Sequence, residues 1–472
     1  MGPCEDGTDL LLLPSYDADP RTLAAIPGVE SWPERQLIEL RHLRHPDNRV
    51  VMLTPEPVNE ACLDAVLELI PAAPAAWLRR RLQLIPLHDR SPGSLTGKLL
   101  QRPRLLQQLQ GLLRPGAVLA AYAVGEGERQ LAERLGLRLE GSAADLADLG
   151  SKAGSAAIFR ELGLPQPRST GLCFDLETLA EAIEALLCRH PDLEAVVVKL
   201  NRMAGGHGNA PLCLDPAPWR QLTGTARLQR VRRALEALPM PLPHWREEMR
   251  NHGVLAQELI RAGRGPGRRL SSPSVQLWID AEGRAELIST HEQRLGGPHG
   301  QSFTGCRFPA RAAYRPALMA IGRRLGADLA ARGCRGPVLL DLLARREPEG
   351  WRLWAIEINL RKGGTSHPFQ LVSCLVGCGI DPDSGELPAL DGSTLCYEAS
   401  DAIGARHWRG LLPEQLLEAM LRHDLYLDRA QLRGCIPHRL GSLSEHGLIG
   451  VTAVGRNRRQ ALQLLRALLQ LG

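Results

Sequence analysis

Several functional classes are excluded by what this sequence lacks. No stretch reaches 18 apolar residues, so no membrane-spanning helix is expected. The first nine residues carry no positive charge, and the apolar run 10–14 is too short for the core of a secretion signal. CxxC pairs are absent: Cys374 and Cys378 stand four apart with no matching pair elsewhere, which argues against zinc. The 11 cysteines are odd in number and irregularly spaced, so they form no disulfide framework. Internal repeats and low-complexity tracts are missing too. A dominant sign of charge is also lacking. Against 57 Lys and Arg stand 52 Asp and Glu, a net charge of +5 over 472 residues. The two signs are interleaved, and the arginines of stretches such as 76–84 and 457–468 suit solvated helix faces, so a nucleic-acid partner is not expected. These absences together lead to the expectation of a reduced, cytoplasmic, soluble protein with neither nucleic-acid nor membrane partners.

What remains is an ordinary globular composition, 44% hydrophobic and 23% charged, long enough for two or three domains with proper cores. The pattern predicts an α/β fold. Over residues 1–150, short apolar runs at 9–13, 49–53, 81–85 and 117–122 alternate with helical patterns at 57–69 and 129–135, which favours a parallel, Rossmann-like sheet. A second block, 151–390, opens with a helix at 152–162 closed by Gly163, Pro165 and Pro167. Strands are expected at 195–200, 254–260, 275–280, 285–291, 338–343 and 352–360, with a helix at 316–333. The last block, 391–472, reads as a small C-terminal α/β domain: helices at 413–421 and 458–471 around a strand at 448–454.

The segment 93–99 imitates a phosphate-binding P-loop, but only three residues separate Gly93 from Gly97, and Leu99 replaces the metal-binding hydroxyl. It is read as a loop. The run from Val196 to Asn209 is more informative. Lys199 ends an apolar strand, where an unpaired ammonium is expensive and a phosphate is a natural partner. Gly205, Gly206 and Gly208 then permit close approach of backbone N–H groups to an anion. Taken alone, a lysine snorkelling to water beside a turn explains the run equally well. In the segment 338–343, Asp341 interrupts an apolar strand, and a buried carboxylate calls for a metal or a cation. Strand alternation then sets Glu357, Asn359 and Arg361 on one face, a carboxylate, an amide and a guanidinium, and the hard oxygens of the first two suit magnesium. For Glu357 and Asn359 alone, a solvent-facing strand is the simpler account; Asp341 is what that account leaves unexplained.

The order of these pieces resembles the nucleotide site of the ATP-grasp superfamily, and the resemblance covers about residues 150–370. It implies that Lys152 and Lys199 contact phosphates, that the loop bearing Gly205, Gly206 and Gly208 closes over them, and that the backbone of Gln257, Glu258, Leu259 and Ile260 holds the adenine. Asp341, Glu357 and Asn359 become ligands of Mg²⁺, with Mn²⁺ as the alternative ion. Arg361, with Arg294, steadies an acyl phosphate. Three further runs resemble the group related to the pheganomycin peptide ligase: residues 291–297, 357–368 and 438–455. The sequence departs from the superfamily in an arginine-rich insertion at 216–250 and in having no acidic residue over 261–269. The implied function is an ATP- and magnesium-dependent ligase. Such an enzyme activates a small-molecule or peptide carboxylate as an acyl phosphate, joins it to an amine and releases ADP and phosphate. The rival reading is a catalytically silent ATP-binding regulatory protein of the same fold.

Overall fold

A computed structural model describes residues 7–15, 23–24, 26–70, 74–203, 208–214, 219, 221–237, 240–262, 269–297 and 300–471. Its scaffold is three sheets. The first is a five-stranded parallel sheet, in spatial order Leu82–Pro86, Arg49–Thr54, Asp9–Leu13, Val118–Ala121, Arg138–Glu140. The central strand Asp9–Leu13 is buried along its whole length, as a strand covered on both faces must be, which explains its unbroken leucines. Asp9 begins it and binds both Arg49 and Arg114, which tie its end to the neighbouring elements. The strand order runs outward in both directions from the first strand, the doubly wound arrangement that alternating strands and helices predicted.

A second sheet of three antiparallel strands, Asn209–Cys213, Ala195–Leu200 and Val254–Glu258, carries Lys199. Its apolar face packs on the helix Leu176–Arg189 and on two helices made by the arginine-rich insertion, Gly224–Glu236 and Leu242–His252. Val231, Leu235, Trp245 and Met249 enter this core while the arginines stay outside, so the insertion is a structural layer of this subdomain.

The third sheet is large and antiparallel. In order it contains Gly350–Asn359, Gly336–Glu347, Leu270–Ile279, Ala285–Gly296, Ser302–Phe308, Thr394–Gly404, Leu448–Gly455 and Gly434–His438. The strands of the last block therefore extend this sheet by pairing with Ser302–Phe308, where the sequence suggested a separate small unit. The helix Arg315–Ala331 covers its face, with Gly322 and Gly326 allowing close approach to Val275 and Leu277. One continuous core joins the two ends of the chain: Leu12, Met52 and Leu67 pack in the same cluster as Trp408, Met420 and Leu465.

Candidate active site

The helix Lys152–Glu161 is fixed at both ends of its first turn. The Ser151 hydroxyl accepts from the Gly154 amide at 3.0 Å, and the Ala153 amide donates to Asn201 Oδ1 at 2.9 Å. One turn in, the Ser155 hydroxyl oxygen accepts from the Ile358 amide at 2.9 Å. The helix is thereby tied to the strand that carries Glu357. Lys152 is buried, with its ammonium 3.5 Å from Glu357 Oε1 and bonded to the Met203 carbonyl. Lys199 lies across from it and donates to Gln257 Oε1 at 2.6 Å. Burial pulls the Lys199 ammonium down to about 8; Glu357 and Asp341 oppose that shift, while Lys152 adds to it.

Asp341 and Glu357 are directly paired across neighbouring antiparallel strands, as are Leu339 and Asn359. Their register thus brings three oxygen-bearing side chains to one face. Burial, followed by the Glu357 charge, raises the Asp341 carboxyl to about 6, against hydrogen bonds from Gln293 and Asn359 and the charge of Arg361. Two carboxylates held together and partly out of water form an electrostatic deficit that a divalent cation would relieve. Asn359 Nδ2 donates to Asp341 Oδ2 at 3.1 Å, and Asn359 Oδ1 accepts from Arg361 at 2.9 Å. The structure therefore brings Lys152, Lys199, Asp341, Glu357, Asn359 and Arg361 into one cluster, from both antiparallel sheets and the helix between them.

Other expected residues are placed differently. Arg294 lies against Glu398, 3.5 Å away, and bonds the Ala399 carbonyl; its neighbour Gln293 is the residue that reaches Asp341. In the hinge, the Gln257 side chain serves Lys199, and the Glu258 carboxylate accepts from Arg168 Nε at 2.9 Å. The Glu258 amide donates to the Arg168 carbonyl and the Leu259 amide to the Ala195 carbonyl, so neither N–H is left to hold a base. Ile260 is buried beside them. Gly208 accepts from the Leu200 amide and has no room for a Cβ beside Met203, whereas Gly205 and Gly206 lie outside the described residues. The imitation P-loop is spent structurally: Lys98 donates to the Asp89 carbonyl at 2.7 Å.

Sequence reasoning missed the clamp behind Arg361. Lys362 is buried with its ammonium 2.8 Å from Glu39 and 3.4 Å from Glu140, both in the N-terminal region. Its amide donates to the Tyr122 carbonyl at 3.1 Å, and Arg361 forms a backbone bridge with Ala123. The loop after Glu-x-Asn is thus held by the parallel sheet. Also missed was a buried cluster of His367, His438 and Asp401, drawn from the runs 357–368 and 438–455 and from the strand Thr394–Gly404. His367 Nε2 lies 3.1 Å from Asp401 Oδ1 and His438 Nε2 lies 3.4 Å from it. Arg35 donates to the other carboxylate oxygen at 2.8 Å, and Arg439 to the Asp401 carbonyl. Burial keeps both imidazoles neutral, His438 at about 4, so Arg35 already balances the charge of Asp401 and the cluster acts as an ionic joint between chain ends. His291, from the run 291–297, is a core residue that meets the Tyr397 hydroxyl among Phe308 and Phe369.

Two antiparallel sheets closing on buried lysines and paired carboxylates, with a parallel sheet alongside, define the class: the chain has the ATP-grasp fold. The biotin carboxylase domain of Hydrogenobacter thermophilus 2-oxoglutarate carboxylase, solved with MgADP, superposes with a TM-score of 0.57 at 10% identity, covering 98% of this chain and 89% of that one. The N5-carboxyaminoimidazole ribonucleotide synthetase of Thermus thermophilus gives 0.53 at 14% identity, with 98% of each chain covered. Among curated proteins, the chain is 28% identical over 469 residues to L-propargylglycine–L-glutamate ligase of Streptantibioticus cattleyicolor, spanning 97% of this chain and 92% of that protein. It is 23% identical over 386 residues to IQ motif-containing protein H of Danio rerio, spanning 73% of this chain and 36% of that protein. No family model matches the chain. Among the described residues, no helix is long and apolar enough to cross a membrane.

Proposed function

We propose that the protein is an ATP-dependent ligase that activates a carboxylate as an acyl phosphate and joins it to an amine, releasing ADP and phosphate. The observation that carries this reading is the convergence of Lys152, Lys199, Asp341, Glu357 and Asn359 on one recessed point. A regulatory nucleotide binder has no need of two repelling carboxylates beside two buried ammonium groups. The relative named for joining L-propargylglycine and L-glutamate supports the same class of bond formation. A reaction that consumes ATP suits the cytoplasm, where we place it.

The donor set of Asp341, Glu357 and Asn359 fits Mg²⁺, a hard cation that takes carboxylate and carbonyl oxygens. Bound magnesium supplies charge neutralisation at the transferring phosphoryl group. Lys152 and Lys199 add positive charge at fixed positions, already desolvated, so little reorganisation accompanies reaction. Arg361, oriented by Asn359 and anchored through Lys362, holds the acyl phosphate while the amine attacks its carbonyl carbon. Positioning and electrostatics supply the rate enhancement, with no covalent enzyme intermediate.

A donor carboxylate labelled with heavy oxygen tests the chemistry. Label is expected in the released phosphate, because the carboxylate oxygen attacks the γ-phosphorus and leaves with it. Label in AMP would overturn the acyl-phosphate route.

A further inference from the structure

Asp401 and His438 stand on strands that flank Leu448–Gly455 in the large sheet, and Gly450 of that central strand lies between them. Gly450 pairs with His438. On its other side Ser400 pairs with Val451 and Ile403 with Ile449, so Asp401 sits in the bulge opposite Gly450. A Cβ at Gly450 would lie 2.0 Å from His438 Nε2, and its backbone lies outside the left-handed region, so space and not conformation calls for glycine. The missing side chain lets the His438 ring lie over the central strand toward Asp401. His367, in the first turn of the helix Ser366–Val376, meets both from outside the sheet.

The three atoms form a nearly regular triangle. His367 Nε2 lies 3.1 Å and His438 Nε2 3.4 Å from Asp401 Oδ1, and the two nitrogens are 3.2 Å apart. Burial keeps both imidazoles neutral, so each carries one proton. With both protons on Nε2, two N–H groups crowd each other; with one on Nδ1, a bare nitrogen lone pair faces a carboxylate oxygen. Hydrogen bonds alone thus leave one edge of the triangle repulsive. His438 Nδ1 is buried without a partner, so nothing behind that ring selects a tautomer. A cation turns all three contacts attractive. Bonds of about 2.0–2.1 Å at tetrahedral angles hold ligand atoms about 3.3–3.4 Å apart, the size of this triangle. Arg35 donates to the other Asp401 oxygen at 2.8 Å and fixes its direction, as outer partners of metal ligands do. Local charge admits an ion: Arg35 and Arg439 stand beside Asp401, but Arg439 also feels Glu34 and Glu30, three carboxyl groups against two guanidiniums. A second trio, Glu30, Glu445 and His446, also meets, but nearer solvent, where carboxylates need no ion.

We propose that His367, His438 and Asp401 bind a zinc ion, with water in the fourth position, that staples the segment following Arg361 to the strands of the last block. Two imidazole nitrogens and one carboxylate suit zinc, whereas magnesium seeks oxygen alone. The Asp401 side chain keeps 17% of its exposure, which gives the ion and its water a way in. Cysteine spacing argued against zinc held by thiolates, and this set uses none. His367 stands six residues after Arg361 and 71 before His438, so the ion fixes the far end of the segment that Lys362 clamps at its start.

Metal content tests this without any substrate, so the result does not depend on the ligase reading. The full chain, free of any histidine tag, is stripped with a chelator, given equimolar Zn²⁺ in excess Mg²⁺ and dialysed. Elemental analysis is expected to find about one zinc per chain. Free zinc at about a hundred times its Kd should raise the melting temperature of the stripped protein by about 3–5 °C. Asp341→Asn with Glu357→Gln, which removes the carboxylate pair of the other cluster, is expected to keep the zinc. His367→Gln with His438→Gln is expected to lose it together with the thermal shift. Should the histidine variant fail to fold, the zinc X-ray absorption spectrum of the parent decides, because two imidazole ligands give scattering that a set of carboxylates and amides lacks. Absence of retained zinc in the parent, retention in the histidine variant, loss in the carboxylate variant or a spectrum without imidazole would each overturn the assignment.

Discussion

Glu357 faces Asp341 across the strand pair and lies 3.5 Å from the Lys152 ammonium, so it serves both the metal side and the phosphate side of the cluster. Glu357→Gln keeps the shape and removes the charge. Turnover is expected to fall about a hundredfold or more, the scale seen when a preorganised charge at a transferring group is lost. A thermal melt beside the assay should stay near that of the parent; near-parental activity would remove Glu357 from the site. Lys199 makes a second prediction through pH. Its folded value, about 8, lies below the ordinary lysine value of 10.5 because burial disfavours the charged form. Held charged in the fold, it therefore costs stability below about pH 8, and the cost fades as pH rises toward 10.5. Nucleotide binding runs the other way, since only the ammonium attracts phosphate. The affinity for an ATP analogue should drop about tenfold per pH unit above 8 in the free protein, and Lys199→Arg should abolish that inflection. A flat affinity profile from pH 7 to 10 would exclude Lys199 from phosphate contact.

At the level of elements, the site depends on how closely the helix Lys152–Glu161 approaches the turn before it. A Cβ on Gly154 would lie 1.9 Å from the Asp148 carbonyl oxygen, a backbone atom that cannot swing aside. Any side chain there pushes the helix away and carries Lys152 with it. Gly154→Ala is expected to destabilise by about 1–3 kcal/mol, the cost of overpacking, and to raise KM for ATP several-fold. Urea unfolding and initial rates check the two effects; an intact KM in a destabilised variant would show that the helix position does not govern Lys152. Such close approaches recur around the site. Gly363 and Gly364 have no space for a Cβ beside Leu339 and Phe303, so the loop after Arg361 is packed against strands of the large sheet as well as clamped through Lys362.

At the level of the whole molecule, the two ends of the chain share a core. Trp408, Met420 and Leu465 pack with Leu12, Met52 and Leu67, and Arg35 crosses to Asp401. A chain ending at residue 390 would leave one face of the parallel sheet uncovered. It is expected to lose its cooperative thermal transition and become protease-sensitive throughout, because large apolar side chains would be exposed at once. A truncated protein that melts cooperatively would show that the N-terminal block holds its own core.

Local chemistry alone determined a good part of this protein. The run DLLLL, a candidate strand in the sequence, is a strand buried throughout; Ser151, Asn59 and Asp175 each cap a helix start by accepting from the third residue onward. Lys199 and Asp341 stood out because a charge within an apolar strand needs a partner, and each has one. Other features had no local signature. The strand Thr394–Gly404, for which the sequence suggested no element, carries Glu398 and Asp401, and Arg307 and Arg35 arrive from distant segments to balance them. The last block reads as a unit of its own, yet hydrogen bonding to Ser302–Phe308 makes it an extension of the large sheet. That Gln293 and not its neighbour Arg294 turns to the cluster depended on which side of a bulged strand faces the site, and the meeting of Glu30 with Glu445 spans nearly the whole chain. Periodicity and unpaired charge act within a few residues and are legible in order along the chain; partners brought together from far apart exist only once the sheets have closed.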